Sequence, residues 1–143
     1  MNTGQSDAYQ IVWLIRRLFR ALGQKSNERL QEFGISAADR AVLEFLYPDE
    51  TLSVPDIAAR YQVSRQHVQV TVNALMKSKL LTPQENPRHK RSPLIALTAK
   101  GQALFARIKK QDLEVVEALF FPVSDEEMQM TQKTLETLLS QLR

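Results

Sequence analysis

The sequence of 143 residues contains no cysteine, only four glycines, two histidines and one tryptophan. Without cysteine the chain can form neither a disulfide nor a thiolate metal site, and it has no thiol nucleophile. The longest uncharged apolar runs, residues 11–15 and 118–123, are far shorter than the ~20 residues that a membrane-spanning helix needs. The first ten residues show no basic segment followed by an apolar one, so no secretory signal is visible. These absences favour a cytoplasmic protein without a membrane segment.

Motifs that support catalysis or metal binding are equally scarce. His67 and His89 belong to different predicted elements, and no local group of His, Asp and Glu has metal-ligand spacing. There is no glycine-rich phosphate loop and no recognisable set of nucleophile, base and orienting group. Helix capping explains the acidic run at residues 125–127. We therefore expect no enzymatic activity, no metal ion and no cofactor.

The net charge of +3 is distributed unevenly along the chain. Residues 53–101 carry eight basic and two acidic side chains, a net charge of +6, whereas residues 1–52 and 102–143 carry −1 and −2. A basic centre between mildly acidic ends is typical of a segment that binds a polyanion such as nucleic acid. An ordinary solvated surface rich in Lys and Arg would show the same asymmetry, so charge alone does not decide between the two interpretations.

The spacing of apolar residues predicts a mainly α chain with one small β-hairpin. Four of the predicted helices begin at a serine whose side chain can cap the first turn, and a threonine can cap a fifth. The predicted helices occupy residues 8–33, 36–46, 53–61, 64–77, 98–119 and 124–142, and the predicted strands are residues 80–84 and 94–97.

Residues 53–75 have the spacing of a helix-turn-helix. A short helix ends near Tyr61, three or four residues form the turn, and Ser64 caps a second helix. Two helices that cross at a steep angle need small residues at the crossing, and Ala58 and Ala59 meet that need. The segment therefore predicts a helix-turn-helix.

The second helix of this unit carries residue types that suit the reading of bases. If Val68, Val72 and Leu75 face the core, the opposite face is free of acidic residues. Arg can bind guanine through two hydrogen bonds, Gln and Asn can bind adenine in the same way, and a small apolar side chain can contact the methyl group of thymine. The alternative is that the amides are only solvated and that the outward valine packs against a neighbouring element. The predicted base-reading residues are Arg65, Gln66, Gln69, Val70 and Asn73.

The turn between the two predicted strands, residues 86–92, is dense in positive charge. No acidic residue lies within this turn, so its cations would be stabilised by phosphates or by a narrow minor groove. A solvated charged loop is the alternative. Together with the preceding helix, the turn predicts double-stranded DNA as the partner. The predicted phosphate or minor-groove contacts are Ser64, His67, Lys77, Arg88, Lys90 and Arg91.

The sequence NPRHKRSPLIALTAKG at residues 86–101 resembles the wing of the MarR-type winged-helix transcriptional regulators, which often runs from Asp-Pro-x-Asp-Arg-Arg to Leu-Thr-x-x-Gly. Lys90 and Arg91 match the basic pair, and Leu97, Thr98 and Gly101 match the closing motif. The helix order resembles that family from residue 8 to residue 142. The resemblance implies a repressor that acts as a homodimer on a palindromic operator. It also implies that, in many members, a small and often aromatic acid releases the DNA.

On this resemblance the whole chain is one MarR-like domain. Residues 35–98 would form the winged helix-turn-helix that binds DNA, and residues 1–34 and 99–143 would be dimerisation helices. A dimer is also expected on grounds independent of the family resemblance. The two terminal helices carry wide apolar stripes, and a second copy of the chain can bury them. A two-fold dimer would place two recognition helices in successive major grooves.

Three residues depart from the family pattern. Asn86 stands where an aspartate usually opens the tip, and His89 replaces the usual acid of the wing tip. These two changes predict a wing that is looser, or more positive, than in typical members. Lys79 stands where a glycine commonly ends the recognition helix, and in a left-handed conformation it would cost about 1 kcal/mol relative to glycine.

A second candidate site lies in the first helix. Trp13 and Arg17 could line a pocket for a small aromatic or phenolic ligand, because a cation beside an aromatic wall suits such a molecule. Alternatively, the tryptophan is a core residue and the arginine is solvated or faces DNA. Two other functions stay open on sequence alone: a winged-helix adaptor that binds an acidic protein in place of DNA, and a ligand sensor whose DNA role has lapsed.

Overall fold

The computed structural model describes residues 3–142, and the side chains from residue 6 onward. Within this range the elements follow the predicted order, with one additional short strand. The prediction of a mainly α chain with a small β element is confirmed. The elements are α1 (Thr3–Phe33), α2 (Ala37–Leu46), β1 (Leu52–Ser53), α3 (Val54–Tyr61), α4 (Arg65–Lys77), β2 (Leu81–Gln84), β3 (Leu94–Leu97), α5 (Ala99–Phe120) and α6 (Asp125–Gln141).

Serine side chains begin four of the helices, as predicted. The Oγ atoms of Ser36, Ser53, Ser64 and Ser124 each accept a hydrogen bond from the backbone N–H three residues further on. In α2 and α6 the residue at that third position is acidic, and its carboxylate accepts the serine N–H, which completes a capping box. Each cap satisfies a backbone donor that would otherwise lack a partner, and removing such a cap typically costs ~1 kcal/mol.

The predicted hairpin is confirmed, and it is joined by a third strand that was not predicted. β2 and β3 pair antiparallel with Leu81 opposite Leu97, and β1 pairs with the other edge of β3, with Leu52 opposite Ile95. With only two residues, β1 is too short for a period-two pattern to be visible in the sequence. Its Ser53 is also the N-cap of α3, so the sheet fixes the point at which α3 begins.

α2, α3 and α4 pack on one another, and α2 and α4 also contact the sheet. Ala58 is buried, whereas Ala59 is exposed. The expectation that both alanines lie at the helix crossing is therefore wrong for Ala59, because a helix turns by about 100° between neighbouring residues. The large, fully buried aliphatic side chains of these elements are Val42, Leu43, Leu46, Ile57, Val68, Val72 and Ile95.

The chain divides into two compact units, one ending at Ala106 and the other beginning at Arg107. In the second unit, α6 has no buried residue, and apolar side chains such as Met130 and Leu139 are exposed. In the first unit, the apolar stripe of α1 is exposed along most of its length. Each terminal helix therefore carries the predicted apolar stripe, uncovered in a single copy of the chain. Within residues 3–142, no helix is long and apolar enough to span a membrane.

α4 ends in a left-handed residue. Lys79 has a φ of 63°, the N–H of Lys79 donates to the carbonyl of Met76, and the N–H of Leu80 donates to the carbonyl of Leu75, both at 2.9 Å. This pairing is a Schellman motif, in which the left-handed position is most often glycine. The conformation suspected from the family pattern at Lys79 is confirmed.

Replacing Lys79 by Gly is expected to stabilise the protein by about 1 kcal/mol, because glycine removes the clash between Cβ and backbone that makes the left-handed conformation costly. Urea unfolding of the parent and the variant measures the change. The control is Lys77→Gly, which places glycine where the backbone is helical and should destabilise by a similar amount. A Lys79→Gly variant less stable than the parent would contradict the expectation.

The end of α4 is also held by the start of α5. Thr98 Oγ1 donates a 2.7 Å hydrogen bond to the carbonyl of Lys79, and Lys100 Nζ donates one of 3.1 Å to the carbonyl of Ser78. These carbonyls follow α4 and have no partner within it. We call this pair of contacts the α4–α5 latch. It fixes the last turn of α4 to the chain segment that leaves the sheet.

Candidate nucleic-acid interface

α4 buries one face and exposes the other. Val68 and Val72 are completely buried, while Val70 is 65% exposed. The alternative that Val70 is covered by a neighbouring element of the same chain is therefore wrong. The residues of α4 and its cap that were predicted to contact DNA are all exposed, namely Ser64, Arg65, Gln66, His67, Gln69, Val70, Asn73 and Lys77.

Two clefts lie between the start of α4 and the wing, which we define as residues 81–97. They have Pro55 and Ser92 in common as lining residues. Side chains from the two predicted DNA-contacting segments, which are far apart in sequence, thus meet along one surface. The predicted contact residues on these clefts are Arg65 in both, Arg88 in the first, and Gln66, Gln69 and Arg91 in the second.

The remaining predicted residues do not line the clefts. Those on α4 and its cap lie elsewhere on its exposed surface, and Lys90 is exposed at the wing tip. Trp13 and Arg17 are exposed on α1 and line neither cleft. The interpretation of Trp13 as a core residue is therefore wrong for a single copy of the chain.

Most residues that line the first cleft were not predicted as part of the site, and Asp56 and Asn86 are two of them. Asp56 donates its backbone N–H to the cap Ser53, so its sequence position indicated only a helix start. Asn86 was noticed only as a departure from the family pattern. An aspartate or an asparagine at these positions does not indicate a cleft when only the sequence is known. The cleft forms where residues of α3 and of the wing come together.

The arginines that line the clefts are not neutralised by acidic side chains of the described chain. In the described part of the chain, Arg65, Arg88 and Arg91 form no ion pair. A cationic surface without internal partners can neutralise phosphates and release their counterions. Among residues 3–142, no three His, Asp or Glu side chains come together in a way that could hold a metal ion.

The side chain of Asn86 forms two hydrogen bonds within the wing tip. The residue is 9% exposed; its Nδ2 donates to the carbonyl of Ser92 at 2.8 Å, and its Oδ1 accepts from the N–H of Arg88 at 3.0 Å. An aspartate at this position could accept from Arg88 but could not donate to Ser92. At Asn86 the amide therefore supplies both a donor and an acceptor across the turn.

Replacing Asn86 by Asp is expected to destabilise the protein by about 1 kcal/mol, because the Ser92 carbonyl loses its donor. Urea unfolding measures the loss, and hydrogen exchange at the N–H groups of Arg88 and Ser92 localises it to the tip. Gln84→Glu is the control, since it makes the same amide-to-acid change at an exposed residue. A variant that matches the parent in stability and in exchange at the tip would show that the Asn86 contacts contribute nothing.

The chain is similar to known proteins in sequence and in fold. Residues 33–92 match the MarR family model. The crystal structure of a MarR family transcription regulator superposes with a TM-score of 0.87 at 23% identity, covering 97% of this chain and 92% of that one. The resemblance to the MarR-type family is confirmed. The matched residues include the whole of α4 and the wing tip, so the segment that matches the MarR family model carries most of both clefts.

Two further proteins are similar to this chain over most of its length. An uncharacterized protein of Mycobacterium tuberculosis is 25% identical over 138 residues, which cover 96% of this chain and 91% of that protein. The crystal structure of the S. aureus MepR–DNA complex superposes with a TM-score of 0.80 at 26% identity, covering 92% of this chain and 96% of that one. The likeness to MepR therefore spans nearly the whole of both chains, and MepR is a protein solved with DNA bound.

Proposed function

We propose that this MarR-type chain is a transcriptional regulator that binds double-stranded DNA sequence-specifically as a homodimer. α4 enters the major groove with its first turn leading, and the wing tip contacts phosphates or the adjacent minor groove. Residues 35–98 form the DNA-binding part. The base-reading residues are Arg65, Gln66, Gln69, Val70 and Asn73, and the backbone or minor-groove contacts are Ser64, His67, Lys77, Arg88, Lys90 and Arg91.

One observation carries this proposal: Arg65, in the first turn of α4, lines both clefts that lead to the wing arginines. A base-reading helix and a phosphate-contacting wing must share one surface to meet the same stretch of duplex. The absence of ion-pair partners for Arg65, Arg88 and Arg91 in the described chain leaves this surface positive. The likeness to MepR, solved in complex with DNA, supports the same assignment.

The homodimer is proposed from the exposed apolar stripes of α1 and α6. On α1 they include Leu18 and Phe19, and on α6 they include Met130 and Leu139. Apolar surface of this extent is unfavourable in water and is typical of a protein interface. A two-fold dimer would pair identical patches and would present two copies of α4 to a two-fold symmetric operator.

Release by a small aromatic or phenolic ligand is a further part of the proposal. Trp13 is exposed, and Arg17 follows one helical turn later, where side chains four residues apart are neighbours. An aromatic ring beside a guanidinium can hold a small aromatic acid. If such a ligand binds the DNA-free form better, it raises that form's Tm and lowers DNA affinity by the same coupling factor.

Selection of bound sites from a pool of random duplexes tests the proposal directly. We expect enrichment of a consensus with two-fold symmetry, since two recognition helices related by a dimer axis read the same half-site twice. The half-sites should be separated by about one helical turn of DNA. A pool that shows no enrichment at low salt would refute sequence-specific DNA binding and favour an adaptor that binds an acidic protein.

Lys90→Ala is expected to weaken binding to all duplexes alike and to reduce the slope of log Kd against log salt by about one unit per protomer, or about two for the homodimer. The reason is that an exposed wing-tip ammonium would contact phosphate and carry no sequence information. Fluorescence anisotropy over a range of salt concentrations measures the slope. The control is Lys133→Ala, which removes the same charge from α6, and a Lys90→Ala slope equal to the parent's would exclude the phosphate contact.

A further inference from the structure

Two of the predicted base readers on α4 contact each other. Gln69 Nε2 donates a 2.8 Å hydrogen bond to Oδ1 of Asn73. The two residues are four apart and both exposed, so they are neighbours on the helix surface that is proposed to face the DNA. Their separation along the helix axis is about 6 Å, short enough for the two amides to serve neighbouring base pairs.

The hydrogen bond divides the donors and acceptors of the pair unequally. Gln69 commits one Nε2 hydrogen to Asn73 and keeps the other, together with Oε1. A donor and an acceptor side by side on one planar amide are what N7 and N6 of adenine require in the major groove. Asn73 has committed a lone pair of its only acceptor, so it has mainly the hydrogens of Nδ2 left to offer.

We infer that Asn73 is a positioning residue that holds the Gln69 amide in the orientation that reads adenine, so that the two residues read neighbouring base pairs as one unit. Asn73 itself donates to an acceptor edge, such as O6 or N7 of guanine or O4 of thymine. This revises the expectation that both amides bind adenine independently. The inference rests on the proposed function, because it concerns base contacts of the helix that is proposed to enter the major groove.

The test begins with the duplex selected from the random pool and a panel of its single base-pair replacements. Kd values are measured for the parent, Gln69→Ala, Asn73→Ala and the double variant. We expect both single variants to lose about tenfold in discrimination at the same adenine. The double variant should lose no more there than either single variant, because residues that act as a unit are not additive.

Asn73→Asp separates positioning from a direct contact. Its carboxylate still accepts from Gln69 Nε2 but has no hydrogens to donate. We therefore expect discrimination at the adenine to be retained and discrimination at the neighbouring base pair to be lost. The added negative charge weakens binding to every duplex alike, so ratios of Kd values are the readout. Because both side chains are exposed, the variants should keep the Tm of the parent.

Gln66→Ala combined with Asn73→Ala is the matched control, since Gln66 is an exposed amide on the same helix that forms no side-chain hydrogen bond in the described chain. The effects of this pair should multiply. Independent effects of Gln69→Ala and Asn73→Ala at different base pairs would overturn the inference, and so would loss of adenine discrimination in Asn73→Asp. Failure to select any duplex would refute the proposed function itself, a result distinct from independent effects on a duplex that binds.

Discussion

Replacing Gly101 by Ala is expected to destabilise the protein by about 2–3 kcal/mol, at the upper end of the usual cost of overpacking. A Cβ at this position would lie 2.2 Å from the carbonyl oxygen of Leu80 and 3.1 Å from a methyl carbon of Leu97. The carbonyl oxygen belongs to the backbone and cannot rotate away, so α5 would have to move as a whole. Urea unfolding of the purified variant measures the loss.

Gly23→Ala is the control for this substitution. Gly23 lies within α1, and a Cβ there would meet nothing within 4 Å. Alanine in a helix is favoured over glycine by roughly 1 kcal/mol, so the variant should be slightly more stable than the parent. If Gly101→Ala were as stable as the parent, α5 could not approach Leu80 as closely as the structure places it.

Replacing Arg65 by Ala is expected to weaken binding to the operator by about 1–3 kcal/mol per half-site and to relax the preference at one base pair of each half-site. Arg65 lies at the first position of α4 and lines both clefts. It has no ion-pair partner in the described chain, so its removal should leave the fold unchanged and the loss should fall on the DNA contact. Anisotropy titrations against the selected duplex and its single replacements, at one salt concentration, measure both effects.

Arg20→Ala provides a comparison for Arg65, because it removes the same charge from an exposed position on α1. We expect it to leave the order of preference among the duplexes unchanged. If Arg65→Ala weakened all duplexes equally, Arg65 would be a phosphate contact and would leave the set of base readers.

Local features of the fold were predictable from the sequence because their causes are local. A serine followed three residues later by an acidic residue marks a capping box, and Ser36 and Ser124 both form one. The exposed face of α4 follows from the burial of Val68 and Val72 and from helical geometry. β1 could not be predicted, because a two-residue strand exists only through its pairing with a strand some 40 residues later in the chain.

Several residues that line the candidate site were predicted from the sequence, but the surface that they form together was not. Arg65 and Arg91 each stood out by residue type and by place in an element, yet their approach to a common cleft depends on tertiary packing. The two contacts of Asn86 could not be predicted, because a residue type alone does not reveal which backbone groups the side chain reaches. The hydrogen bond between Gln69 and Asn73 was not predicted either, although their spacing of four permits it.

The α4–α5 latch couples the end of α4 to the first turn of α5 through two side-chain hydrogen bonds. A tilt of that turn would pull on the carbonyls of Ser78 and Lys79 and would rotate α4 about the end that they follow. A small change of angle at α5 would thus become a larger displacement of Arg65, which lies thirteen residues before Ser78 and about 20 Å away along the helix axis. The geometry is that of a lever whose short arm lies at the base of the wing and whose long arm, α4, carries Arg65 at its tip.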